Sequence, residues 1–581
     1  MNEASRYRMR LLAIIGLSMF VALGARLWYL QVMISEQAAV TARSNITRVI
    51  AVPAPRGRIL DVKGRTLVGN RLTTVLTMNR YELAQAELGG DELLDTLTEI
   101  AIEINRSGNL VKVVDVQRAL EDPSYGLYDD VPIAHDVGED LLVFFGERPE
   151  RFPGVRVAEA TVRSYLYGNI ATHLLGWVGS INDRELQSRR PPVGKEYRLR
   201  DQIGKSGVEL MFEDDLRGVA GRKVVEVDRL GEIQRERDDL YVAPIPGADL
   251  VLSIDVDVQF LVETELERAI YRARAAEPEA DPDRPDQLSP AFDAPGGAVV
   301  ILDPRNGDVV AMASFPSYDP NMSIGGFAPE QWAVLNDPAN DLPMFNRAIQ
   351  GEYAPGSTFK LFTAHAAWHA GVFGVGAIPR ADELWDDPGA YILRGCGDVD
   401  PRDPPPGCRY RNAGEKPYED VDLIRSLTVS SDVYYYRIGE SIYINPEHPD
   451  TAIQDAAGSY GLGLETGITL PFEQDGYMPT PANRRQRNEE NPVAFPEWGW
   501  STGDNVITAI GQGEVLVTPL QLANAFATFA NGGVRHAPNV VTRVVARDGT
   551  VVRQFVPRVL SEVEMDPGFR WRVLEGLAGV T

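Results

Sequence analysis

Cysteine, histidine and lysine are scarce in this chain of 581 residues. Two cysteines, Cys396 and Cys408, are too few for a disulfide-built scaffold or a four-thiolate metal site. The six histidines (His135, His173, His365, His369, His448 and His536) are scattered, with no HExxH or close HxH pairing, so the sequence offers no zinc motif. Positive charge is also short: 57 Lys+Arg stand against 83 Asp+Glu, a formal charge of −26. Nucleic-acid phosphate finds nothing general to bind on such a chain, and nucleic-acid binding as a main role is excluded. What remains is globular composition, 44% hydrophobic and 24% charged. Its length demands roughly two to four folding units.

Long apolar runs are absent except at the start. Leu11–Met33 follows Arg6, Arg8 and Arg10 and, at about 1.5 Å per residue, would span roughly 34 Å as a helix. The three arginines point to a cytoplasmic N-terminus. Arg26 falls beside Trp28 and Tyr29, where a long side chain can snorkel and aromatic rings favour the interface. A cleaved signal peptide is the competing reading, because Leu11–Ala25 is short and Ala22-Leu23-Gly24 is small enough for a peptidase. Both readings export everything that follows. Outside the cytoplasm Cys396 and Cys408, in the loop GCGDVDPRDPPPGC, are expected to pair; a free pair, or a metal contribution from Cys408 with nearby Asp residues, is the alternative.

From Ser44 to about Gly247 short β-type runs alternate with helical stretches such as Asp91–Ile104, and Lys63-Gly64 marks a turn in GRILDVKGRTLVGN. After PIPGAD (Pro244–Asp249) a strand at Leu250–Ile254 and a helix over Val256–Arg274 open a new unit. The acidic, proline-rich stretch Glu277–Pro295 reads as a solvated insertion without periodicity. Ala298–Leu302 and Val309–Ala313, joined through Asn306-Gly307, read as a hairpin. Strand, helix, hairpin and then helices describe an α+β fold class, a sheet flanked by helices.

The chemistry concentrates in Tyr353–Ala364 (YAPGSTFKLFTA). A Pro-Gly break precedes a helix-compatible run to Gly371, so Ser357 and Lys360 share one helix face near its N-terminus. A serine hydroxyl becomes a nucleophile when a base takes its proton, and a lysine neutralised by burial can be that base. Free N–H groups at the helix start would favour oxyanion charge. The chain has seven lysines, and about 0.3 Ser-x-x-Lys matches are expected by chance. Arginine, the preferred cation here, could not serve as a base. An exposed lysine on an amphipathic helix is the bland reading. Ser430-Ser431-Asp432 offers a second hydroxyl facing the lysine to relay a proton to a leaving group, with Asp432 as a hydrogen-bonding post, against the bland reading of a helix cap or polar turn.

Ser-x-x-Lys followed by Ser-x-Asn or Ser-x-Asp resembles the active-site signature of penicillin-binding proteins and serine β-lactamases. The flanks resemble the class B penicillin-binding proteins, the monofunctional peptidoglycan D,D-transpeptidases. Pro55–Asp61 (PRGRILD), Ile203–Glu209 (IGKSGVE), Leu216-Arg217-Gly218, Ala509–Gly513 (AIGQG) and Thr518–Ala523 (TPLQLA) are similar to their pedestal and transpeptidase elements. His173–Gly179 (HLLGWVG) is more like the elongation-type members (penicillin-binding protein 2) than the septal ones.

The resemblance implies an uncleaved anchor: a cytoplasmic tail over 1–10, a transmembrane helix over 11–33, a pedestal over 34–247 and a transpeptidase domain over 248–581. It implies Ser357 as the acylated nucleophile, Lys360 as its general base, and Ser430 and Asp432 as the second motif, with the pedestal motifs structural. It further implies stem peptides as substrate, β-lactams as inhibitors, and as partners membrane lipid, a polytopic glycan polymerase and other elongation proteins, with the catalytic domain on the periplasmic side. No cofactor is expected. Some elongation-type relatives carry a metal site before the second motif, but Arg409–Asp422 has no histidine and no metal is expected here. The family's third motif, Lys-Thr-Gly, should follow IGQG by some tens of residues; no lysine follows Lys416, and the chain ending at Thr581 is expected to stop before that strand and to be impaired for it. The rival readings are a D,D-carboxypeptidase or β-lactamase, and a non-catalytic β-lactam sensor or scaffold.

Overall fold

The computed structural model describes residues 3–29, 47–107, 111–123, 125–127, 129–189, 197, 199, 201–227, 233–277, 280–281, 284–288, 292–375, 380–397, 399–400, 403–447, 449–496 and 498–580. Residues 30–33 of the expected span and 34–46 of the expected pedestal lie outside these. The chain opens with a helix over Glu3–Trp28. Its window Leu11–Trp28 has a mean hydropathy of 2.0 and no buried residue, so it is long and apolar enough to cross a membrane. Near its end the Arg26 guanidinium lies 5.7 Å from the Tyr29 ring centre, the pairing of cation and aromatic that suits an interface.

Two sheets follow. Thr47–Val52 pairs antiparallel with Gly221–Val227, which pairs with Ile233–Glu236. The larger sheet runs Val551–Gln554, Val541–Val545, Asp249–Leu252, Ile59–Leu60, Thr66–Asn79, Asp130–His135, with Val155–Tyr165 also on Thr66–Asn79. It therefore joins strands from both sides of residue 247: Leu250 faces Ile59 in parallel register, and Asp249 faces Val545 antiparallel. Ile59, Val68, Leu250, Leu252 and Val544 are fully buried on it, and the central strand Asp249–Leu252 is buried on both faces. The turn after Ile59–Leu60 forms where Lys63-Gly64 stand: Asp61 Oδ1 accepts from Lys63 N and Arg65 N, and Gly64 takes φ +82°. At the far end, the helix Gly90–Arg106 buries Leu97, Ile100, Ala101 and Ile104, one stripe at helical spacing.

The PRGRILD and IGKSGVE segments meet around the fully buried Glu209. Arg56 Nε reaches its Oε2 at 2.6 Å and Arg163 Nε its Oε1 at 2.7 Å. Two guanidiniums on one carboxylate offset the cost of burying all three, and removal of one partner would leave the others uncompensated. Gly57 cannot carry a side chain, since a Cβ would come within 1.8 Å of Ala248 O. These motifs thus bind the pedestal together.

The strand Asp249–Leu252 leads into the helix Val256–Arg274, capped by Asp255, whose Oδ1 accepts from Asp257 N at 3.1 Å. The expected hairpin forms as Gly297–Leu302 against Val309–Phe315. Before it the acidic stretch is not wholly irregular: Ala280–Asp281 and Arg284–Leu288 form a short antiparallel ladder, which needs only backbone pairing and no apolar periodicity. The remaining helices enclose a core in which Phe359, Phe362, Tyr434, Tyr435, Tyr460, Phe529 and Phe569 are buried. Beside it the strands Ala390–Ile392 and Arg409–Arg411 pair antiparallel, and the expected Cys396–Cys408 disulfide closes the loop between them.

Candidate active site

The Pro355-Gly356 break starts a 3-10 turn over Gly356–Phe359 that passes directly into the α-helix Lys360–His369. Side chains three apart eclipse in a 3-10 turn, so Ser357 and Lys360 fall on one face. Ser357 is exposed, while Lys360 is only 1% exposed. The turn is braced from the IGQG segment: Gly356 N donates to Gly511 O at 2.9 Å. Gly511 must be glycine there, with φ +69° and a Cβ that would fall 2.5 Å from Gly356 O.

The stretch Leu423–Ile438 breaks into two helices, Leu423–Thr428 and Asp432–Ile444, and the second motif occupies the break. Ser431 caps the second helix, its Oγ accepting from Tyr434 N at 3.0 Å. Ser430 takes the left-handed conformation at φ +55°, rare for a residue with a side chain. In that pose it presents both oxygens to the lysine. Lys360 Nζ donates to Ser430 O at 2.8 Å and to Ser430 Oγ at 3.0 Å, and lies 2.6 Å from Asp432 Oδ1. The Tyr435 ring completes the enclosure, 5.6 Å from Nζ. Burial holds the Lys360 amine below its ordinary value, against the opposing pull of Asp432 and, more weakly, Asp387.

Of the four residues singled out by sequence, Lys360, Ser430 and Asp432 are thus in contact, and Ser357 stands one turn upstream of Lys360. Two buried residues beneath the motif were not legible beforehand, Asp387 and Asn412. Asn412 Oδ1 accepts from Asp432 N at 2.9 Å and from Val433 N at 3.0 Å, and Asp387 Oδ2 accepts from Ser431 Oγ at 2.6 Å. No local pattern marks either one; each matters only through contacts distant in sequence. Among the described residues no three His, Cys, Asp or Glu side chains gather as metal ligands.

Residues 51–252 match the penicillin-binding protein dimerisation domain, and residues 297–394 and 395–581 the penicillin-binding protein transpeptidase domain. Peptidoglycan D,D-transpeptidase MrdA of Escherichia coli K12 is 30% identical over 577 residues, 99% of this chain and 80% of its own length. The chain belongs to the penicillin-binding proteins. It is a peptidoglycan D,D-transpeptidase of the MrdA, or penicillin-binding protein 2, type. MrdA of Acinetobacter baumannii is 29% identical over 545 residues, 93% of this chain and 70% of its own. A chain solved in a peptidoglycan synthase complex that coordinates polymerization and crosslinking aligns with TM-score 0.63 and 27% identity, covering 99% of this penicillin-binding protein and 84% of that chain. Helicobacter pylori PBP2, solved with MreC, shares the fold at TM-score 0.66 and 20% identity, covering 92% of this chain and 84% of its own.

Proposed function

We propose that Ser357, Lys360, Ser430 and Asp432 carry the D,D-transpeptidase reaction of this penicillin-binding protein. The observation that supports it best is a buried amine, Lys360 Nζ, in contact with the Ser430 hydroxyl, one turn from an exposed serine. In the neutral form that burial favours, Lys360 takes the Ser357 proton as Oγ attacks the carbonyl carbon of the penultimate D-Ala of a stem peptide. The oxyanion that forms faces the positive end of the helical segment starting at Gly356. The proton passes through Ser430 Oγ to the departing amine of the terminal D-Ala, the C–N bond breaks, and the donor peptide remains as an ester on Ser357. An amine of a neighbouring stem then attacks this ester, its proton returns by the same relay to Ser357 Oγ, and the C–O bond breaks to leave the cross-link. A β-lactam acylates the same hydroxyl through its ring C–N bond.

The arginines at 6, 8 and 10 support a cytoplasmic N-terminus, with the body of the protein on the periplasmic side of a single membrane span. The relatives solved in a synthase complex and with MreC support, as partners, a membrane glycan polymerase beside the anchor and scaffold proteins of cell elongation.

Incubation of the full-length protein with a stem peptide ending in D-Ala-D-Ala and a labelled D-amino acid tests the reaction. Label should exchange into the peptide. Release of D-Ala by hydrolysis alone would indicate a D,D-carboxypeptidase instead, and penicillin binding with neither outcome would indicate a sensor.

A further inference from the structure

The left-handed turn at Ser430 is not explained by the motif that contains it. A non-glycine residue there is strained and persists where its surroundings over-determine it. On the upstream side the turn is tied by backbone alone, Ser430 N to Leu427 O at 3.2 Å and Ser431 N to Ser426 O at 3.0 Å. On the downstream side Asp432 is paired with Lys360, and the ties of Ser431 Oγ, Asp432 N and Val433 N lead to Asp387 and Asn412.

Asp387 ends the strand Trp385–Asp387 and is fully buried. Among the described residues its carboxylate makes no ion pair; it is held by neutral donors. Gly389 N donates to Oδ1 at 2.9 Å, Asn412 Nδ2 lies 3.1 Å from Oδ1 and 3.0 Å from Oδ2, and Ser431 Oγ donates to Oδ2 at 2.6 Å. Asn412, 1% exposed, uses both ends of its amide. Nδ2 also donates to Lys416 O at 2.8 Å, while Oδ1 takes the first two N–H groups of the helix Asp432–Ile444. With Ser431 accepting from Tyr434 N, the N–H groups of the helix's first turn are bound to side chains.

The chemistry requires an amide at 412. A carboxylate there would accept from Asp432 N and Val433 N but would face Asp387 as a second buried negative charge, and an aliphatic side chain would leave two helix N–H groups and the Asp387 oxygens short of partners. A carboxylate at 387 is equally specific, since it accepts from three donors at once.

Building on the assignment of Ser357 and Lys360 to the reaction, we propose that Asp387 and Asn412 are positioning residues, a buried carboxylate–amide clamp that holds Ser430 with its hydroxyl and carbonyl on Lys360 Nζ. The clamp touches no reacting atom. It also sets the charge around the base: the groups facing Lys360 are Asp432 and the Tyr435 ring from one helix, the Ser430 hydroxyl from the turn, and Asp387 from behind it.

Acylation of the full-length protein by a fluorescent penicillin, resolved by saturation into a binding constant and a first-order acylation rate, tests the clamp. Asn412→Ala should lower the acylation rate about 10- to 100-fold while binding changes little, because the pocket survives and the relay geometry does not. Asp387→Asn keeps the shape and should also slow acylation. Because it removes one carboxylate that favours the ammonium form, the rising limb of its rate–pH profile should move to lower pH, a displacement that loss of stability alone would not produce. Should Asn412→Ala fail to fold, the Asp387→Asn profile decides by itself. Wild-type acylation rates in both variants, or an unmoved pH limb in Asp387→Asn, would overturn the clamp. A wild-type protein that is not acylated at Ser357 would instead overturn the assignment on which the clamp rests.

Discussion

Lys360 Nζ and Ser430 Oγ, 70 residues apart in sequence, stand 3.0 Å apart. The ammonium has three N–H bonds and three acceptors around it: Ser430 O, Ser430 Oγ and Asp432 Oδ1. Only the hydroxyl among these can also donate. When Lys360 loses a proton, Ser430 is therefore the neighbour that can reverse its hydrogen bond, which is what a relay between nucleophile and leaving group requires.

If Lys360 works as a base, charge alone will not replace it. Lys360→Arg should lose about as much acylation as Lys360→Ala, roughly 10²–10⁴-fold, because a guanidinium cannot be deprotonated in a protein. The wild-type rate should rise with pH through a pKa below the ordinary 10.5, since burial disfavours the ammonium. Stopped-flow acylation across pH checks both; near-normal rates in the arginine variant would refute the role.

Ser430 separates backbone strain from chemistry. Ser430→Gly relieves the left-handed strain at φ +55° and should leave the fold as stable or up to about 1 kcal/mol more so. The same substitution removes the hydroxyl that meets Lys360 Nζ and, if that hydroxyl relays the proton, should slow acyl transfer on the order of 10²-fold. Denaturant titration and acylation rates measured on one preparation will reveal whether the two move apart as expected.

Much of this arrangement is legible in the sequence, where the signals are local. The helix Val256–Arg274 forms with both expected ends because its Asp255 cap and its periodicity are contained within it. Ser-x-x-Lys stands out because the chain otherwise prefers arginine. The break at Val429–Ser431 is harder to see, since neither Gly nor Pro interrupts Leu423–Ile438 and the turn depends on Asn412 and Asp387. The pairing of Val541–Val545 with Asp249–Leu252 is harder still: Thr542 Oγ1 donates to Val251 O from 291 positions away, and no periodicity specifies such a partner.

The half-buried Glu263 offers a test of stability against pH. It accepts from Ala171 N at 2.7 Å and Gln259 Nε2 at 2.6 Å, yet burial pushes its carboxyl from 4.5 up to about 7. Between those values the folded protein keeps a proton that the unfolded chain releases, so the contribution of Glu263 to stability is lost as pH rises through about 7. Glu263→Gln should melt a few degrees above wild type near pH 8 and show no such advantage near pH 4. Equal melting temperatures near pH 8 would contradict this.

Cys396 and Cys408 close a loop with a sequence separation of 12. In the chain-entropy account such a loop contributes about 3 kcal/mol by restricting the unfolded state. Thiol titration of the native full-length protein should find no free thiol, and Cys396→Ser/Cys408→Ser should unfold at lower denaturant. Two reactive thiols in native protein would contradict the pairing.

The most direct measurement is the site of acylation. Fluorescent penicillin added to the full-length protein, followed by digestion and mass spectrometry, should put the acyl group on Ser357 alone, and Ser357→Ala should abolish labelling while leaving the melting temperature close to wild type. Labelling that persists in Ser357→Ala, or an adduct mapped to another serine, would contradict the account.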